Sequence, residues 1–92
     1  VAQRWRAVDV RWRGYVIAYV RNNESGEVHG VYKRFGRWRL YGGTDAVVTD
    51  AALAACARRA IANADPAVLR REFTARVHDI VCRIAEAEVR RP

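Results

Sequence analysis

Residues 27–41 read Glu-Val-His-Gly-Val-Tyr-Lys-Arg-Phe-Gly-Arg-Trp-Arg-Leu-Tyr. Phe35-Gly36 reads as a two-residue turn between two runs rich in β-branched and aromatic side chains, residues 27–34 and 37–41. A turn of that length fixes the register, with Val31 opposite Leu40 and Tyr32 opposite Arg39. Upstream, residues 15–21 (Tyr-Val-Ile-Ala-Tyr-Val-Arg) read as another strand, followed by the polar turn Asn22-Asn23-Glu24-Ser25-Gly26. A four-residue loop at 23–26 sets Ala18 opposite Val31 and Tyr19 opposite Gly30. A further strand is expected at about 4–13. The connections are too short for parallel crossovers, so the sheet is antiparallel.

Every Trp is flanked by Arg on both sides: Arg4-Trp5-Arg6, Arg11-Trp12-Arg13 and Arg37-Trp38-Arg39. Neighbours on a strand point to opposite faces, so each Trp goes one way and its two Arg the other. Trp5 and Trp12 have opposite parity, and both reach one core only if a bulge or break lies between them. With the register above, one face carries Val16, Ala18, Val20, His29, Val31, Lys33, Trp38 and Leu40. That aliphatic face is the expected core, with His29 and Lys33 near its edge. The other carries Tyr15, Ile17, Tyr19, Arg21, Tyr32, Arg34, Arg37, Arg39 and Tyr41.

From Thr49 the period changes to 3–4: Leu53, Cys56, Ala57, Ala60, Ile61 and Ala64 share a helix face. Thr49 is the expected N-cap, with Asp50 in the first turn. Asp65-Pro66 restarts a helix over 66–90, with the stripe Leu69, Phe73, Val77, Ile80, Ile84 and Ala87. Beside it, Glu72/Arg76, Asp79/Arg83 and Glu86/Arg90 are spaced for i,i+4 ion pairs. The chain therefore reads as one α+β domain over 1–92. Residues 1–44 form an antiparallel sheet of three to four strands, and residues 45–92 form two helices packed on one face. If the helices form a hairpin about Ala64-Asp65, Cys56 and Cys82 are too far apart to bridge, and both thiols are free. A helix over 66–90 is about 37 Å long, against a diameter near 30 Å for a globule of this size. It must bend, fray or project. A monomer with a loose last turn is expected, with a homodimer or a protein partner through this helix as the alternative.

The 92 residues carry a net charge of +7, and 16 of the 17 basic residues are Arg. Residues 1–44 hold net +6 and residues 45–92 net +1. Several reaction classes find no residues to carry them. Ser25 is the only serine and has no His or acid at motif spacing. No Gly-rich loop ends in Gly-Lys-Ser/Thr. His78 and Cys82 lie one turn apart, but no CxxC or HxxxH pair joins them, so neither a metal nor another cofactor is expected. The reading is of a non-enzymatic basic module. Two cysteines and no signal-peptide pattern point to the cytoplasm, and no apolar run is long enough to span a membrane.

A two-layer domain covers one face of its sheet. The Tyr/Arg face is then an exposed platform, with Tyr to stack on bases and Arg to meet phosphate. Arg21, Arg34, Arg37 and Arg39 are the expected phosphate contacts, and Tyr19, Tyr32 and Tyr41 the stacking groups, for DNA or RNA. The alternative is a structural or protein-interaction role for the same face. The run His29-Gly30-Val31-Tyr32-Lys33-Arg34-Phe35-Gly36-Arg37-Trp38 resembles part of the three-stranded-sheet DNA-binding domains of plant ethylene-response factors and phage integrases. In those domains a Gly-Val strand leads through a Gly turn into a basic residue plus Trp, and the sheet enters the major groove. The resemblance spans 10 of the 92 residues and implies base or phosphate contacts for Arg34, Arg37 and Arg39. The chain departs from that pattern at Gly42-Gly43, where the family has its third strand, and in its second long helix. As a whole the Arg- and Ala-rich chain is similar to small proteins of high-GC bacteria, which implies no function.

Overall fold

The structure is a computed structural model that describes residues 3–90. Four strands run in order as one antiparallel sheet: β1 (Trp5–Trp12), β2 (Val16–Asn22), β3 (Val28–Arg34) and β4 (Arg37–Leu40). Two helices follow, α1 (Ala51–Ala62) and α2 (Pro66–Val89). The expected registers hold: Val31 faces Leu40, Tyr32 faces Arg39, Ala18 faces Val31 and Tyr19 faces Gly30. β1 slips register between Ala7 and Asp9, which leaves Val8 as the extra residue of a bulge. That bulge returns both Trp5 and Trp12 to the helix side of the sheet. An irregular strand at a sheet edge also discourages pairing with another chain.

The core lies between α1 and the sheet. Ala18, Val20, Val31, Leu53, Cys56 and Ala57 are buried there, with Trp5, Val10, Trp38, Leu40, Val48, Ala60 and Ile61 packed around them. α1 begins one residue later than the sequence suggests. Its N-cap is Asp50, not Thr49, and Asp50 Oδ1 accepts from the amides of Ala52 and Leu53. The Trp5 indole Nε1 donates to Asp50 Oδ2 at 3.2 Å, so the two oxygens of one carboxylate serve the sheet and the helix cap at once. Burial pushes the Asp50 carboxyl up, but the Leu53 and Ala52 amides, the Trp5 indole and the nearby Arg4 outweigh it and hold it below its ordinary value.

α2 departs from the expected hairpin. Asp65 caps it and Pro66 starts it as read, yet it does not pack along α1. Its first turns lie against β1, where Phe73 meets Trp12 edge to face with centroids 5.2 Å apart. Glu72 turns to Arg11 of β1 at 2.9 Å rather than to Arg76. The freed Arg76 shares Asp79 with Arg83, at 3.3 and 3.2 Å, and Arg90 reaches Glu86 at 3.2 Å. No residue of α2 is buried, and the molecule extends 64 Å along its longest axis against 29 and 26 Å across. Both thiols are free, Cys56 buried and Cys82 exposed. No helix among the described residues is long and apolar enough to cross a membrane.

Asp50→Ala removes the cap and the acceptor for Trp5 together. The folding equilibrium constant should fall about tenfold or more, the usual scale for losing a cap, read as a lower urea midpoint with an unchanged slope. Because the Asp50 carboxyl titrates below its ordinary value of 3.8, its contribution is complete above that pH and is lost as pH falls through its folded value. The variant should therefore lose less stability on acidification than the parent.

Candidate nucleic-acid interface

The face of the sheet turned away from α1 is not the open platform that the two-layer argument predicts. Ile17 is fully buried and Tyr32 is 1 % exposed. Tyr15 and Tyr41 pack against Tyr32 on this face, and the segment after β4 anchors it from the sheet edge. After β4, Gly42, Gly43 and Asp45 take positive φ angles of 92°, 60° and 52°, and the chain turns back on the sheet. Leu40 N–H donates to Ala46 O, Val48 N–H donates to Trp38 O, and Arg39 bridges to Val47. The fold-back brings Asp45 over the sheet, where its carboxylate accepts a 2.7 Å hydrogen bond from the Tyr32 hydroxyl. Arg39 Nη1 donates to Asp45 O at 3.1 Å and ties down the same residue.

Tyr15, Tyr32 and Tyr41 form one cluster. Tyr15 and Tyr32 lie 4.5 Å apart at 30°, and Tyr41 stands edge-on to both at 6.1 and 6.3 Å. Gly30 permits it: a Cβ there would come within 3.0 Å of Tyr41 Cβ and 3.2 Å of Ile17 Cγ2. The Asp45 hydrogen bond, then burial, push the Tyr32 phenol up to about 12. Tyr32 is therefore a locked structural group whose ring has no free face for a base. Of the other expected stacking groups, Tyr41 is exposed and Tyr19 half-buried.

The arginines divide likewise. Arg39 is half-buried and committed to the fold-back. Arg21, Arg34 and Arg37 are exposed. Register places Arg34 directly opposite Arg37, and Arg21 directly opposite Arg6. Arg6 was not among the residues expected at the site, because the register of β1 depends on a bulge whose position the sequence leaves open. Facing pairs on adjacent strands have Cβ atoms only about 5 Å apart, and like charges there are destabilising. Among the described residues none of these four guanidiniums has a carboxylate within ion-pairing distance, whereas Arg11, Arg76, Arg83 and Arg90 all do. The β3–β4 hairpin holds Lys33, Arg34, Arg37 and Arg39 and no acid at all.

Sequence reasoning also passed over Phe35. It sits at the hairpin tip, 86 % exposed, with the Arg34 guanidinium 5.0 Å from its ring centroid. Its φ is 53° and that of Gly36 is 76°. Two positive φ angles in a row make a type I′ turn, whose first position favours Asn, Asp or Gly. A bulky side chain is strained there, and the signal available in the sequence was a Phe where those residues belong. Elsewhere, the exposed His78 and Cys82 sit side by side on α2 with sulfur to ring nitrogen at 3.8 Å. Among the described residues no three metal-ligating side chains come together. Comparison with protein-family models, curated proteins and solved structures finds no match for the chain.

The Tyr32 bond gives a pH signature. A phenol whose folded value lies above its ordinary 10 stabilises the fold fully below pH 10, and that contribution disappears as pH rises toward about 12. Thermal melts across that window should show a steeper loss for the parent than for Tyr32→Phe, which has no proton to lose. At neutral pH Tyr32→Phe should melt lower, because it leaves the Asp45 carboxylate short of a donor.

Proposed function

We propose that the chain is a non-enzymatic module that binds nucleic acid through the basic rim of the sheet face turned away from α1. The observation that carries this reading is the two cross-strand arginine pairs, Arg6 with Arg21 and Arg34 with Arg37, on the same face and without acidic partners. Each pair costs stability in the free protein, and an anion between its members relieves that cost. Arg34 lies six residues along β3 from Val28, the partner of Arg21, which is about 20 Å at the rise of a strand. One phosphate cannot serve both pairs, whereas a strand with a charge every few ångströms can.

Between the pairs lie Tyr19 and Tyr41, and beyond the second pair projects Phe35. Phosphate contacts position the strand, and Phe35 offers a free ring at the tip to stack on an unpaired base. The exposed groups on this face are arginine forks and aromatic rings, which meet phosphates and base faces without a fixed order of donors and acceptors. Binding is then weakly selective and mostly electrostatic, with a preference for single strands whose bases can be splayed out.

Fluorescence anisotropy with single-stranded DNA, duplex DNA and RNA oligonucleotides tests this across a salt series. Affinity should fall linearly on a log–log plot, and Arg34→Ala/Arg37→Ala should reduce the slope by about 1–2. Arg58→Ala, on the exposed side of α1, should leave it unchanged. Phe35→Asn should raise the melting temperature by relieving the turn and weaken single-strand binding about tenfold by removing the stack. A folded parent that binds no oligonucleotide at low salt, or hairpin variants that bind as the parent does, would overturn the proposal.

A further inference from the structure

The solvent-accessible surface is 6945 Å², whereas a compact monomer of this mass exposes roughly 5,400 Å². The radius of gyration is 16.6 Å, against about 12 Å for a compact chain of this length. The excess surface, about 1,500 Å², exceeds the ~800 Å² per partner that a stable association buries. Much of it lies on α2, which carries Phe73, Val77, Ile80, Val81 and Ile84 between 42 and 58 % exposed. From Phe73 to Ala87 the stripe steps by 4, 3, 4 and 3, the spacing that meshes one helix with a second like it. We infer that α2 is the dimerisation element, and that its occupant is α2 of a second copy of this chain, running antiparallel.

The direction follows from the sheet. Phe73 belongs to the stripe and rests on Trp12, while its neighbour Glu72 holds Arg11, so β1 occupies the space alongside the first half of the helix. A parallel partner would need that space. An antiparallel partner overlaps only the half beyond it, where every residue from Ile80 onward is exposed. In that overlap Ile80 meets Ile84 of the second copy and Val77 meets Ala87, which puts the two-fold axis level with residue 82. Val81, one residue from the axis on the flank of the stripe, lies beside its own counterpart, offset by about 3 Å along the helices. The charged residues of this half do not oppose it: Arg76, Arg83 and Arg90 stand against Asp79, Glu86 and Glu88 and sum to zero, with Asp79 bridging Arg76 and Arg83 and Glu86 reaching Arg90. The inference is independent of the nucleic-acid reading.

Sedimentation of the intact chain at low and high micromolar concentration should give twice the chain mass, at least at the higher. Ile80→Asp/Ile84→Asp should give monomers with unchanged near-ultraviolet dichroism, since both positions are exposed and distant from the core under α1. If that variant fails to fold, Val81→Cys in a Cys82→Ser background decides. Mild oxidation should link two chains through the new thiols, which lie beside each other close to the axis only in the antiparallel arrangement. A monomer at every concentration, a dimer that survives the double substitution, or a dimer that does not cross-link through position 81 would overturn the inference.

Discussion

The 2.7 Å hydrogen bond from Tyr32 to Asp45 decides what each face of this sheet can be. A four-stranded sheet has two faces, and α1, twelve residues long, covers one. The other carries Ile17 and the rings of Tyr15, Tyr19, Tyr32 and Tyr41, too much apolar surface to leave in water. Tyr15, Tyr32 and Tyr41 pack together on this face, and the chain returning along the edge of β4 fastens Tyr32 through Asp45. A neutral phenol facing a carboxylate is the stable state at neutral pH, so the fastening does not compete with the fold's other charges. It leaves the rim of the face, with its arginines, outside the cluster.

Most of the sheet was legible because short turns leave a register little freedom. Two residues at Phe35-Gly36 and the short loop after Asn22 fixed the pairing of β2, β3 and β4. The parity conflict between Trp5 and Trp12 required a break in β1, which occurs between Ala7 and Asp9. The fold-back was not legible, because Gly42-Gly43-Thr44-Asp45 has no periodicity and its partner, Tyr32, is non-local. The same blindness made Tyr32 look like a free stacking group. The choice between Thr49 and Asp50 as cap turns on Trp5, 45 residues away. The i,i+4 rule on α2 was right where the helix stands in water, at Asp79 and Glu86, and wrong at Glu72, where β1 offers Arg11.

The charges follow a comparable division. On α2, acid and base alternate so that each arginine beside the stripe finds a carboxylate on its own helix. On the sheet rim Arg6 faces Arg21 and Arg34 faces Arg37 instead, while Arg39 is spent on holding the fold-back. Opposed arginines and a phenylalanine in a left-handed turn both work against the free fold. A fold with a small core has little stability to lose to such features. That both occur on one hairpin, and neither on the helices, is the physical reason for reading the hairpin as a surface shaped by something it meets.

The two parts of the molecule also bear on each other through geometry. α2 leaves the sheet beside β1, while the β3–β4 hairpin lies at the opposite edge of the sheet. Pairing two copies through the far half of α2 therefore leaves both hairpins uncovered and sets them at opposite ends of one particle. Two weak electrostatic contacts held at a fixed separation act as one stronger contact on a strand long enough to reach both, and as independent weak contacts on a shorter one. On the two proposals taken together, affinity comes from repetition and not from the fit of either face alone.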